Sequence, residues 1–105
     1  MTPRCILFFP GTRPDMYAKA IASGADQVCM DLEDAVAPGA KQEARASAMS
    51  VLQAPDFDPE RFILRINNPA TPEGDRDLAA LGELATLRGS PLTLMIPKLD
   101  APEGL

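Results

Sequence analysis

At 105 residues, 46% hydrophobic and with a formal charge of −5, the chain is large enough for one compact domain with a core of ordinary density, and disorder is not expected. Its basic residues are scattered among acidic ones, so no continuous positive stripe can track a phosphate backbone and nucleic acid is excluded as an expected partner. Histidine is absent, which removes Ser-His-Asp and Cys-His chemistry and histidine-ligated zinc from this segment.

The first apolar run, residues 5–9, is broken at once by Pro10 and Gly11 and is too short for a secretory signal. The expectation is a soluble, cytoplasmic protein with no membrane partner. The same run lacks alternation and reads as a strand buried on both faces. Residues 15–22 place Met16, Ala20 and Ile21 on one side of a helix, with Pro14 suited to its first turn and Gly24 to its stop. Gln27–Asp31 is a second buried strand. Residues 39–52 form an Ala-rich helix with Lys41, Glu43 and Arg45 along a wet face. Residues 62–66 supply a third strand, 75–87 a helix with Leu78, Leu81 and Leu84 inward, and 92–96 a fourth strand. The Pro-rich segments 54–59 and 68–72 read as connecting loops. Cys5 and Cys29 lie inside apolar runs without C-x-x-C spacing and are expected as buried thiols.

Strands alternating with helices imply a parallel α/β sheet, since each return to a parallel neighbour needs a crossover. Two architectures fit. A small doubly wound sheet would be complete in this length, whereas a (β/α)8 barrel needs roughly 250 residues and would be half present. In either fold the chemistry gathers at the carboxyl ends of the strands. Those ends carry Pro10-Gly11-Thr12-Arg13-Pro14, then Asp31-Leu32-Glu33-Asp34, then Arg65 and Asn67, then Pro97-Lys98.

Arg65 interrupts an apolar run, and a buried guanidinium needs an anionic partner. Its planar fork could grip a substrate acid or one of Asp31, Glu33 and Asp34. The three carboxylates could bind a hard cation such as magnesium or simply sit solvated on a loop. Gly11 to Pro14 opens a helix, and its free N–H groups with Arg13 beside them would suit a phosphate or carboxylate. Lys19 follows about one and a half turns later and either joins them or faces water.

The string Leu7-Phe8-Phe9-Pro10-Gly11-Thr12-Arg13-Pro14, then Lys19-Ala20, Ala25-Asp26 and Asp31-Leu32-Glu33-Asp34-Ala35-Val36-Ala37-Pro38 with Lys41 and Ala44-Arg45, resembles the citrate lyase beta-subunit and malyl-CoA lyase family of the HpcH/HpaI aldolase superfamily. Leu64-Arg65-Ile66-Asn67 and Ile96-Pro97-Lys98 continue it, so the resemblance covers nearly the whole chain. It implies that residues 1–105 are the N-terminal half of a TIM-barrel lyase domain, with about four strands and three helices present. It implies magnesium-dependent cleavage or formation of a carbon–carbon bond in a citryl-, malyl- or citramalyl-type thioester, giving an acyl-CoA and an oxo-acid. Phe8, Arg13 and Lys19 then contact the CoA thioester, Arg65 holds the carboxylate and carbonyl end as a catalytic group, and Glu33 and Asp34 support it. The magnesium ligands are expected beyond Leu105, and a homo-oligomer, trimer or hexamer, is expected. The alternative is a non-catalytic half-barrel module that binds acyl-CoA or pairs with another chain through its open sheet edges.

Overall fold

The computed structural model describes residues 5–88 and 92–96. In chain order they form β1 (Ile6–Pro10), α1 (Met16–Ala22), β2 (Gln27–Asp31), a 3-10 turn (Pro38–Ala40), α2 (Lys41–Gln53), β3 (Phe62–Arg65), α3 (Pro72–Arg88) and β4 (Thr93–Met95). All strand pairs are parallel and the sheet order is β1-β2-β3-β4. Among the described residues no helix is long and apolar enough to cross a membrane.

The uninterrupted strand order separates the two architectures. A doubly wound sheet reverses its order at a switch point and carries helices on both faces, and here there is no reversal. Successive register rows alternate between faces. Phe9, Met30 and Leu64 form one row and Val28 with Phe62 another, and these side chains join one core with Tyr17 and Ala20 of α1, Ala44, Ala48, Val51 and Leu52 of α2, and Leu81 of α3. All three helices therefore cover the same face. Four parallel strands with a single helical layer are the arrangement of a (β/α)8 barrel, in which the other face turns inward.

The strand β1 departs from expectation. Ile6, Leu7 and Phe8 are exposed, as is Cys5, because β1 is an edge strand of the described sheet and only Phe9 reaches the helices. Cys29, one strand inward, is fully buried as expected, and burial, then the Asp31 charge, pushes its thiol up to about 11.

In α1 the dominant core residue is Tyr17, whose hydroxyl accepts the Asp58 N–H at 2.9 Å and whose ring meets Phe57 and Phe62. Gly24 ends the helix in the left-handed region at φ 87°, as its position predicts. The wet face expected for α2 is only partly wet. Lys41 donates from Nζ to the Leu32 and Glu33 carbonyls at 3.2 and 2.7 Å, and Arg45 is drawn in by Glu73 and Asp77 of α3.

The helix α3 starts at Pro72, three residues earlier than the apolar pattern indicates. Thr71 caps it, its Oγ1 accepting the Gly74 N–H at 3.1 Å, and Pro72 takes the first helical position, where a missing N–H costs nothing. Gly74, Asp77 and Leu81 consequently form the inward stripe, and Leu78, expected inside, is exposed. At Leu84 only the backbone is described. A Cβ on Gly74 would lie 1.9 Å from the Asn68 carbonyl oxygen, so only glycine lets the helix approach the loop after β3. Gly74→Ala is expected to destabilise the full-length protein by about 2–3 kcal/mol in denaturant unfolding, because the obstruction is backbone and cannot rotate away. An unchanged midpoint would show that the loop is not held against the helix.

Candidate functional site

Pro10, Asp31, Arg65 and Met95 occupy one register row across the carboxyl ends of the four strands. Ladder-type hydrogen bonds continue past it: Gly11 N–H donates to the Asp31 carbonyl at 2.8 Å, Leu32 N–H to Arg65 at 2.9 Å and Ile66 N–H to Met95 at 3.2 Å. The rim backbone is thus fixed by the sheet. Gly11 is required here, since a Cβ would lie 2.7 Å from Leu32 Cδ2 and 2.9 Å from Ala44 Cβ.

Asp31 folds the acidic segment around itself. Its Oδ1 accepts the Glu33 N–H at 2.8 Å and its Oδ2 the Ala35 N–H at 3.2 Å, while Lys41 ties down the carbonyls of residues 32 and 33. Three carboxylates then converge on one guanidinium. Arg65 Nη1 lies 3.6 Å from Asp31 Oδ2, and Nη2 lies 3.0 Å from both Glu33 Oε1 and Asp34 Oδ2. Only the Asp34 contact is aligned as a hydrogen bond, and Glu33 Oε1 is buried with no hydrogen bond despite its distance. Burial pulls the Arg65 pKa down, but Asp31, Glu33 and Asp34 outweigh it and the net shift is upward, so the guanidinium is permanently charged.

The structure therefore brings Arg65 together with all three carboxylates that the sequence offers it, Asp31, Glu33 and Asp34, with Asp31 the most deeply buried of them. Both readings of Arg65 remain structurally available: it is paired with carboxylates, and a quarter of its side chain, 26%, faces solvent. Phe8 shares a register row with Cys29 and Ile63, two positions before the Arg65 row, so it lies on the same inward face and is 48% exposed. Arg13 forms a two-point ion pair with Asp15 at 3.2 and 3.1 Å, which lowers the Asp15 pKa and raises that of Arg13, both side chains being exposed. Lys19 is exposed in the last turn of α1. Among the described residues, neither Arg13 nor Lys19 forms an ion pair with the carboxylates around Arg65. Pro97 and Lys98 lie outside the described residues.

Asn67, expected on the rim, is instead buried. Its N–H and Nδ2 both donate to Asp77 Oδ2 at 2.9 and 2.8 Å, and Asp77 Oδ1 accepts from Arg45 Nε at 2.8 Å. This network holds the chain two residues beyond Arg65. The sequence signal for it was the Thr71-Pro72 cap, which sets the phase of α3 and turns Asp77 inward.

Among the described residues no group of three His, Cys, Asp or Glu could hold a metal ion. Asp31, Glu33 and Asp34 direct oxygens at Arg65 and at backbone N–H groups, so they do not make a magnesium site.

The HpcH/HpaI aldolase/citrate lyase family matches residues 4–105. The chain is 42% identical to an L-malyl-CoA/beta-methylmalyl-CoA lyase of Cereibacter sphaeroides over 91% of its own length and 30% of the relative's. It is similar to a solved citrate lyase beta subunit from M. tuberculosis complexed with oxaloacetate and magnesium, with TM-score 0.71 and 41% identity over 90% of this chain and 38% of that one. A structure of the protein CitE from Mycobacterium tuberculosis in complex with magnesium, acetoacetate and coenzyme A matches with the same TM-score and identity, covering 90% of this chain and 32% of that one. The chain thus spans about a third of the length of the proteins it matches. With the family match running through residues 4–105, this chain belongs to the HpcH/HpaI aldolase/citrate lyase family.

Proposed function

We propose that this chain forms part of a magnesium-dependent carbon–carbon lyase acting on a 3-hydroxyacyl-CoA thioester of the malyl, citramalyl or citryl type. The carrying observation is Arg65, a permanently charged guanidinium held on the strand-end row by Asp31, Glu33 and Asp34, with a quarter of its side chain facing solvent. Relatives solved with oxaloacetate, acetoacetate, coenzyme A and magnesium support this reading.

In the cleavage direction the substrate hydroxyl loses its proton and becomes the carbonyl of the oxo-acid. The bond between the carbinol carbon and the thioester α-carbon breaks, its electron pair passes to the thioester as an enolate, and protonation of that carbon gives the acyl-CoA. Arg65 grips the carboxylate of the oxo-acid portion by its planar fork and places positive charge beside the forming carbonyl. Phe8 offers an apolar surface on the same face, and Arg13 and Lys19 supply cations for the CoA end. Magnesium would be held by residues outside those described, as would the general base. A cytoplasmic homo-oligomer is part of the same proposal.

The test is release of oxo-acid, trapped as its phenylhydrazone, from malyl-, citramalyl- or citryl-CoA by the full-length protein with magnesium. Chelation is expected to reduce the rate at least about a hundredfold, with recovery on adding magnesium back. No oxo-acid from any of the three thioesters would exclude the reading.

A further inference from the structure

The three carboxylates around Arg65 differ in a way that assigns them different tasks. Asp31 is 6% exposed and Glu33 24%, whereas Asp34 is 74% exposed and meets the guanidinium from the solvent side. The Asp31 carboxylate is locked by two backbone N–H groups and cannot leave without opening the turn, and Glu33 is three-quarters buried on a backbone segment held by Lys41. Asp34 has no comparable anchor among the described contacts beyond Arg65 itself. The guanidinium is aligned on this exposed partner, and Glu33 Oε1, buried at the same 3.0 Å distance, goes without a hydrogen bond.

We propose that Asp34 is a latch: it occupies the solvent-facing side of Arg65 in the unliganded protein and must release it for a substrate carboxylate to bind. An incoming carboxylate needs the N–H that Asp34 accepts. When Asp34 swings out, the guanidinium can realign on Glu33, which turns that ion pair into a hydrogen-bonded one and offsets the loss of a weak, solvent-exposed pair. The side chains that would be grouped by sequence as equal supports of Arg65 therefore act in opposite directions, Glu33 favouring ligand binding and Asp34 competing with it.

This rests on the reading that Arg65 holds a carboxylate, and the two are separable. Oxaloacetate binding to the full-length protein, measured calorimetrically with magnesium present, is the readout for four proteins: unmodified, Asp34→Asn, Arg65→Gln, and the double variant. Asp34→Asn is expected to tighten binding about threefold, the scale of an exposed ion pair. Arg65→Gln is expected to weaken it on the order of a hundredfold, and in that background Asp34→Asn should change nothing. Unchanged or weaker binding in Asp34→Asn overturns the latch. So does equal tightening in both backgrounds, which would mean that removing a negative charge merely attracts anions. Unimpaired binding in Arg65→Gln overturns the reading of Arg65 beneath it.

Discussion

Arg65→Lys in the full-length protein is expected to lower kcat/KM by about a hundredfold or more while the melting temperature moves little. Lysine keeps a positive charge opposite Asp31, Glu33 and Asp34, so the rim stays compensated, but it loses the two-point planar grip on a carboxylate. Arg65→Ala behaves differently. It leaves three carboxylates facing one another with Asp31 almost fully buried, and a stability loss of about 3 kcal/mol joins the loss of turnover. Measuring both quantities on both variants separates ligand binding from structural pairing. Near-normal turnover in Arg65→Lys would end the catalytic assignment.

The largest loss of stability is expected away from the rim residues, in Asp77→Ala. Asp77 is 1% exposed and receives three donors, two from Asn67 and one from Arg45. Truncating it strands the Arg45 guanidinium, itself only 12% exposed, with Glu73 alone, and leaves the Asn67 N–H without an acceptor. About 3–5 kcal/mol is the scale for breaking such a buried pair. Because the cost comes from uncompensated charge, replacing Arg45 by Met in the same protein should recover part of it, and denaturant unfolding of the single and double variants measures this. A neutral Asp77→Ala would mean that the network carries no net stability. Retention of stability in the double variant with altered kcat/KM would place the network's importance at Arg65, two residues from Asn67.

The sheet was legible because its central strands are buried along nearly their whole length, residues 28–31 and 62–64. Gln27–Asp31 has the bounds its apolar run predicts, and its neighbour differs by one residue. Residues 5–9 have the same character, yet Ile6, Leu7 and Phe8 are exposed, since an apolar run reports what a strand tolerates and not what lies against it. The same limit explains the helices. Alanine spacing located α2, but nothing within residues 41–53 says that Arg45 is turned towards a carboxylate 32 positions away. In α3 the apolar spacing predicts a stripe of Leu78, Leu81 and Leu84, whereas the inward stripe is Gly74, Asp77 and Leu81, two of which have no apolar signal. At the site, the carboxyl-end rule picked out Arg65 with Asp31, Glu33 and Asp34 because ladder geometry alone carries it. The distinct duties of Asp31 and Lys41 depend on turn geometry that a one-dimensional reading does not contain.

The strand order has a consequence for how the protein is made. Each of the four described strands pairs only with strands adjacent to it in the chain, so none of these pairings waits for a distant segment to be synthesised. As the nascent polypeptide leaves the ribosome at about 5–20 residues per second, β2 can dock on β1 and cover α1, and each later unit adds to a surface already formed. Assembly is then incremental, with the free edge of β1 and the growing edge both open while it proceeds, and these edges are where a chaperone or a wrong partner would find purchase during synthesis.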